Sequence, residues 1–150
     1  MQKFGFRLEP VLKLKTQMED NAKNSLARAA RELEYQQECL DQLEQVKEDS
    51  MKTLNSTVDK GIPVYEVRNY NNFFGLMKNK INNQKVNVNN AQMDVDINRE
   101  ALILAMQEKK ILEKLKEKKY EEYVKEQNKE EQLLIDGLNS FKFKDVSGKA

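Results

Sequence analysis

The sequence predicts an all-α protein, a long antiparallel two-helix coiled-coil hairpin. Charged residues make up 34% of the 150 residues and hydrophobic ones 39%, and strong helix formers such as Glu, Lys, Gln and Leu are prominent. There are five glycines and two prolines, and the one Gly-x-Pro break lies at Gly61 to Pro63. On both sides of this break apolar residues recur every three or four positions, which is the spacing of a coiled-coil seam. We therefore expect a single coiled-coil domain over residues 1–150.

The first helix is expected over about residues 9–59, after an irregular segment at residues 1–8. Pro10 suits the first helical turn, where its missing N–H is not needed, and Glu9 suits the positive end of the helix dipole. No glycine or proline follows before Gly61, so the helix should be roughly 75 Å long. Its predicted seam consists of Ala22, Leu26, Ala29, Leu33, Gln36, Leu40, Leu43, Lys47, Ser50, Leu54 and Thr57.

The turn is expected at about residues 60–63. Glycine adopts the left-handed conformation that ends many helices, so Gly61 is predicted to stop the first helix. Pro63 cannot continue that helix but can open the next one. Because so short a connection joins antiparallel neighbours, the second helix should run back along the first.

The second helix is expected over about residues 64–139, with a frayed tail at residues 140–150. Just after the turn, a second row of side chains (Phe73, Leu76 and Lys80) runs beside the seam. Phe73 either packs on the flank of the hairpin or docks a partner, as exposed aromatic residues often do at interfaces. The predicted seam consists of Tyr70, Phe74, Met77, Ile81, Gln84, Val88, Ala91, Val95, Asn98, Leu102, Ala105, Lys109, Leu112, Lys116, Lys119 and Tyr123.

Alignment of the two seams across the turn pairs Leu43 with Ile81, and the second helix then outruns the first by about twenty residues. Residues 1–7, if extended, would run along part of this overhang. The overhang carries an apolar cluster with no predicted partner in the hairpin: Leu133, Leu134, Ile135, Leu138, Phe141 and Phe143.

No catalytic, cofactor-binding or metal-binding residue is predicted. The chain has no histidine, which removes the usual general base near neutral pH and the imidazole ligand of metals. The single cysteine, Cys39, has no histidine to activate it, and there is no glycine-rich phosphate loop. Asp94 and Asp96 point to different sides of a helix and make a poor metal pair. We therefore predict that the protein is not an enzyme.

Charge and hydropathy favour a soluble cytoplasmic protein. The 26 basic and 25 acidic residues are interleaved, without the basic face of a nucleic-acid-binding protein. No segment approaches the roughly eighteen apolar residues of a membrane span, so no membrane insertion is expected. The N-terminus lacks the features of a signal peptide, and a lone cysteine is compatible with a reducing cytosol.

Two stretches of the chain resemble the FliJ family, the stalk proteins of flagellar protein export. The start of the family is similar to the opening Phe4-Gly5-Phe6-Arg7-Leu8-Glu9-Pro10-Val11-Leu12-Lys13-Leu14. The family's second-helix region is similar to the Gly61-Ile62 turn followed by Asn69-Tyr70-Asn71-Asn72-Phe73, Ile81 and Gln84. The resemblance spans nearly the whole chain.

This resemblance implies a two-helix coiled coil like the central stalk of F-type ATPases, seated in the hexameric ring of the flagellar export ATPase. It also implies contact with the cytoplasmic domain of the membrane-embedded export gate, and some family members bind export chaperones. The family's gate site after the turn corresponds to Phe73 and Met77. On the first helix Leu43 matches the family, whereas Val46 and Ser50 stand where some relatives carry tyrosine.

We therefore expect a non-enzymatic stalk of the flagellar type III export apparatus, located in the cytoplasm at the inner face of the membrane below the flagellum. Two alternatives stay open, namely the equivalent stalk of a virulence-type secretion system and a general coiled-coil chaperone or adaptor. The residues expected to bind the gate are Phe73, Leu76, Met77 and Leu43. The residues expected to bind the ATPase ring are Phe4, Phe6, Leu134 and Leu138.

Overall fold

The computed structural model describes residues 2–148, apart from the side chain of Ser147. Helix α1 spans Glu9–Lys60 and helix α2 spans Val64–Ser147, and no strand occurs within these described residues. The helices are joined by the three residues 61–63 and pair as an antiparallel hairpin. The predicted fold class, an all-α two-helix coiled-coil hairpin, is confirmed.

Helix α1 begins where the sequence placed it. Residues 2–6 are irregular and lead through a turn at residues 7–8 into the helix. The Phe6 carbonyl accepts a hydrogen bond from the Glu9 N–H at 3.1 Å, and the Leu8 carbonyl accepts one from the Leu12 N–H at 2.9 Å. Pro10 lies in the first turn, where a helix needs no N–H from it.

The reversal between the helices depends on Gly61, which has a φ of 83°. Its N–H donates to the Val58 carbonyl at 3.0 Å, which closes the last turn of α1. A side chain would strain this left-handed conformation, so glycine is the natural residue here. Pro63 immediately precedes α2, and its carbonyl accepts from the Glu66 N–H at 3.1 Å. Proline therefore opens the second helix, as predicted.

Helix α2 extends further than the sequence indicated. The expected end lay near residue 139, but the helix continues to Ser147, and the Gly148 N–H donates to the Lys144 carbonyl at 3.0 Å. Gly137 lies inside this helix. A helical glycine costs about 1 kcal/mol relative to alanine but does not break the backbone hydrogen bonds. Residues 149–150 of the expected tail lie outside the described residues.

The chain divides into two compact units, each containing part of both helices. Unit 1 comprises Met1–Met18 and Ala105–Ala150, and unit 2 comprises Glu19–Leu104. The expectation of a single domain stays a prediction.

The core of unit 2 lies on the predicted seam. Leu40, Met77 and Ile81 form a buried cluster, against which Leu43 and Val88 pack. Every predicted seam position of this unit is buried or half-buried. The periodicity of the sequence therefore identified the contact face of both helices correctly.

A polar pair interrupts this seam. The Gln84 Nε2 donates to the Gln36 side-chain oxygen at 2.7 Å and to the Gln36 carbonyl at 2.8 Å. The predicted pairing of Leu43 with Ile81 agrees with the packing of Leu43 against the cluster that contains Ile81. The Gln84 side chain bonds to Gln36, one helical turn from Leu40. Pairing the two amides is favourable because either amide would lose hydrogen bonds beside an apolar partner in a partly buried seam.

Ion pairs connect the two helices within unit 1. The Lys15 Nζ lies 2.8 Å from the Glu108 Oε2, and the Lys116 Nζ lies 2.9 Å from the Glu9 Oε2. Higher numbers on one helix meet lower numbers on the other, as antiparallel pairing requires. Lys119, predicted on the seam, is instead exposed and pairs with Glu122 on its own helix at 3.2 Å. Burial of a lysine costs free energy because its charge loses hydration, so Lys119 stays in solvent.

Candidate partner-binding surfaces

The first candidate surface, called here the turn-proximal surface, consists of Phe73 and Leu76 in unit 2. Leu76 is 65% exposed and Phe73 is 36% exposed, although both are large apolar residues. Phe73 meets the Phe74 ring edge-on, with ring centroids 5.6 Å apart, and Phe74 stacks on Tyr70 at 6.3 Å. The aromatic contacts hold the Phe73 ring in place while one side of it remains open to a partner.

A shallow groove adjoins this surface. It has a volume of about 510 Å³ and lies between the last part of α1 and the start of α2. Its lining combines apolar rings with polar groups that can accept or donate hydrogen bonds. The lining residues are Ser50, Glu66, Asn69, Tyr70 and Phe73.

The other two residues expected at the gate contact lie underneath. Met77 is only 6% exposed and belongs to the core cluster, and Leu43 is half-buried against that cluster. The structure therefore does not bring the four expected residues together on one open face. Phe73 and Leu76 are accessible, whereas Met77 and Leu43 support the helix pair beneath them.

The N-terminal segment, residues 2–8, is packed onto α2 within unit 1. The Phe4 ring lies edge-on to Tyr120 with centroids 5.2 Å apart and tilted against Tyr123 at 5.4 Å. The Tyr123 hydroxyl donates a hydrogen bond to the Gln2 carbonyl. Phe6 is half-buried, and the segment borders a groove of about 600 Å³ that extends along α2 to Glu126. The segment thus lies on α2 ahead of the overhang cluster.

Sequence reasoning missed this aromatic seat. Tyr123 was predicted on the seam, Tyr120 was given no role, and Phe4 was predicted to bind the ATPase ring. The signal was available, because Tyr120 and Tyr123 are three apart and share one helical face. The prediction that residues 1–7 run along part of the overhang agrees with the course of the described residues 2–7, but it did not say which side chains of α2 the Phe4 ring would meet.

The second candidate surface, called here the C-terminal apolar face, consists of Leu134, Leu138 and Phe141 in unit 1. Their spacings of four and three place them on one side of α2. The side chains of Leu134 and Leu138 are 67% and 55% exposed. All the large apolar residues near this end of the described helix are exposed, namely Leu133, Leu134, Ile135, Leu138, Phe141, Phe143 and Val146.

Two titrating groups in unit 2 are shifted from their ordinary pKa by neighbours on the same helix. A hydrogen bond to the Glu19 carboxylate, at an N–O distance of 2.9 Å, raises the pKa of Lys23 above 10.5. A hydrogen bond with Cys39 raises the pKa of Tyr35 above 10.0. Cys39 itself is half-buried beside the seam. Neither arrangement joins groups from both helices into a reactive site.

Within residues 2–148 no cluster of three or more His, Cys, Asp or Glu side chains could hold a metal ion. Across the same residues, neither helix has a stretch long and apolar enough to cross a membrane. The turn-proximal surface and the C-terminal apolar face are two exposed apolar surfaces that a partner could contact.

Comparison with known proteins identifies the family of this chain and a solved structure with a similar fold. No curated protein matches the chain. A solved structure of a YscO homologue from Chlamydia trachomatis has a similar fold, with a TM-score of 0.66, 22% sequence identity, and coverage of 99% of this chain and 100% of that chain. The family described as flagellar FliJ protein matches residues 3–147. Because this match spans nearly the whole sequence, the chain belongs to the FliJ family.

Proposed function

We propose that the chain is a non-enzymatic stalk of the flagellar type III export apparatus, which links the hexameric export ATPase to the cytoplasmic domain of the export gate. Membership of the FliJ family supports the assignment to this apparatus. The gate contact is supported by one observation, namely that Phe73 and Leu76 are exposed although the adjacent Met77 is buried. In this proposal the protein acts in the cytoplasm at the inner face of the membrane.

The gate contact is assigned to the turn-proximal surface. An exposed ring held by other aromatic residues binds a partner with little further loss of side-chain freedom, which is typical of an interface hot spot. Met77 and Leu43 contribute by supporting the helix pair beneath Phe73 and Leu76. Substitutions at the exposed pair should therefore act on binding, whereas substitutions at the covered pair should act on stability.

Binding of the purified gate domain to Phe73→Ala and Leu76→Ala tests this contact. We expect each variant to bind about tenfold or more weakly, which corresponds to roughly 1.4 kcal/mol, with unchanged helical content by circular dichroism. Tyr65→Ala is a matched control because Tyr65 is also an exposed aromatic residue near the turn, 64% exposed. Unchanged affinity for both Phe73→Ala and Leu76→Ala would reject this assignment.

The ATPase contact is assigned to the C-terminal apolar face, with Leu134 and Leu138 as contact residues. Phe4 and Phe6 support this contact from their seat on α2 rather than reaching the ring themselves. The double variant Leu134→Ala and Leu138→Ala should lose co-purification with the hexameric ATPase. Leu133→Ala is the control, because Leu133 is 71% exposed but points to another side of the helix. Equal loss for the control would show that the face is not the determinant.

The equivalent stalk of a virulence-type secretion system is the second candidate. The YscO homologue shares the fold of this chain. Deletion of the gene separates the two, because a flagellar stalk is required for motility and a virulence-type stalk is not. The third candidate is a general chaperone or adaptor, which would instead bind unrelated unfolded proteins. Some family members bind export chaperones, so these are further expected partners of the stalk. Recovery of the export ATPase and the gate domain with the tagged chain supports the stalk.

A further inference from the structure

A third exposed apolar surface lies on α2 within unit 2 and shares no residue with the surfaces assigned above. We call it the outer stripe, and it consists of Val86, Met93, Ile97 and Leu104. Their spacings of seven, four and seven residues bring them to within about 40° of one another around the helix. All four side chains are between 55% and 63% exposed. Singly exposed apolar residues are ordinary, but a row at heptad spacing is not.

The outer stripe lies opposite the seam of the same helix. Over the same residues the seam toward α1 is formed by Val88, Ala91, Val95 and Leu102, which are buried or half-buried. Helix α2 is therefore apolar on two opposing faces along this stretch, and α1 covers only one of them. A surface helix with a single neighbour normally carries polar residues on its outer face. The outer stripe has side chains large enough to pack on a second helical neighbour, with Asn90 and Glu100 at the intervening positions of the same face.

Charges beside the outer stripe indicate the chemistry of that neighbour. Asp94 flanks the stripe on one side, and Asp96 and Glu100 flank it on the other. Arg99 is the one basic residue between positions 86 and 104, and it lies 3.6 Å from Asp96, on the side away from the stripe. Both borders of the apolar row are therefore acidic over residues 93–100, whereas Lys85 lies beside Val86 at one end of the row. A helix with lysine or arginine beside its own apolar row would complement them, as oppositely charged flanking positions do in coiled coils.

We propose that the outer stripe of α2 binds a basic amphipathic helix of a partner protein. A second copy of this chain would bring acidic borders against acidic borders, and like charges brought together at an interface are unfavourable. The proposal uses none of the residues assigned to the gate or the ATPase. It therefore stands or fails independently of the proposed function.

A pair of synthetic helical peptides tests the proposal on the full chain. The first peptide carries leucine at the apolar positions of about three heptads and lysine at the flanking positions, and the second carries glutamate in place of lysine. Fluorescence anisotropy should show binding of the lysine peptide, with the glutamate peptide weaker by about tenfold or more. The affinity for the lysine peptide should fall as salt rises, because the flanking charges are exposed.

Substitutions then locate the site. Ile97→Glu should weaken the lysine peptide by about tenfold or more, whereas Met51→Glu, at a residue of α1 that is 48% exposed, should leave it unchanged. The triple variant Asp94→Lys, Asp96→Lys and Glu100→Lys should reverse the preference and bind the glutamate peptide more tightly. Circular dichroism checks that each variant remains helical.

Three outcomes would overturn the proposal. One is the absence of binding by the lysine peptide to the folded chain. Another is binding that Ile97→Glu and the charge reversal leave unchanged, since attraction would then be spread over the surface. The third is concentration-dependent dimerisation in sedimentation that Ile97→Glu abolishes, because a second copy would then occupy the outer stripe. Phe73→Ala should bind both peptides as the parent chain does.

Discussion

Replacement of Met77 by alanine tests whether this residue belongs to the core or to a docking surface. Met77 is 6% exposed and packs with Leu40 and Ile81. Truncation of a buried methionine costs roughly 2–5 kcal/mol, as lost burial plus the cavity that remains. Leu43 and Val88 lie only half-buried at the edge of this cluster, so the two helices can close part of the cavity. We therefore expect a loss near the lower end, about 2–3 kcal/mol.

Thermal unfolding followed by circular dichroism measures this loss. A destabilisation of that size lowers the Tm of a chain of this length by about 5 to 10 °C. The neighbouring variant Leu76→Ala is the control, because Leu76 is 65% exposed and its truncation should change stability by no more than about 0.5 kcal/mol. Leucine and methionine have similar helix propensities, so the difference between the two variants reports burial.

The reasoning is refuted if Met77→Ala unfolds at the same temperature as Leu76→Ala. Met77 would then not be part of the core, and a direct contact with a partner would again be the better account of it. If Met77→Ala is less stable but binds the gate domain normally at a temperature where it is folded, its role is support of the hairpin alone.

Three further predictions concern the turn, the N-terminal segment and alkaline pH. Gly61→Ala should destabilise the hairpin by about 1 kcal/mol or more in urea unfolding, because its φ of 83° strains any side chain; Gly75→Ala, inside α2, should not. Phe4→Ala should lower the free energy of unfolding by about 0.5–1.5 kcal/mol beyond the lost burial, because the Phe4 ring contacts Tyr120 and Tyr123. Unchanged hydrogen exchange of residues 115–126 in this variant would contradict the stabilising role of Phe4. The pKa of Lys23 is raised in the folded chain, so the charged lysine stabilises the fold at pH values below 10.5. This stabilisation is lost as the pH rises through the pKa of Lys23 in the folded state. The Tm difference between the parent chain and Lys23→Gln should therefore vanish above the folded-state pKa.

The contact face of each helix followed from the sequence because a seam is a local pattern. Spacings of three and four between Leu40, Leu43 and their neighbours need only the geometry of a helix to be interpreted. Gly61 and Pro63 likewise act through their own backbone preferences. These features are encoded within a few residues, and they appear in the structure where the sequence placed them.

Features that depend on residues far apart in the chain did not follow. The hydrogen bond between Gln36 and Gln84 joins residues 48 positions apart, and spacing alone does not reveal which amide another amide will meet. The seat of Phe4 on Tyr120 and Tyr123 joins positions more than a hundred residues apart. The gate-binding site was likewise predicted only in part. Spacing placed Met77 on the seam, where the structure has it, whereas the family resemblance placed Met77 in the contact with the gate.

The Gln36–Gln84 pair has a mechanical consequence. A helix pair held only by apolar side chains can slip by a heptad and find an equivalent set of contacts. A slip here would separate the two partly buried amides and lose the hydrogen bonds between them, at a cost of about 0.5–1.5 kcal/mol for each bond. The pair therefore resists shear along the helix axes, and a pull on α2 within unit 2 is passed on to α1 rather than lost as sliding between them.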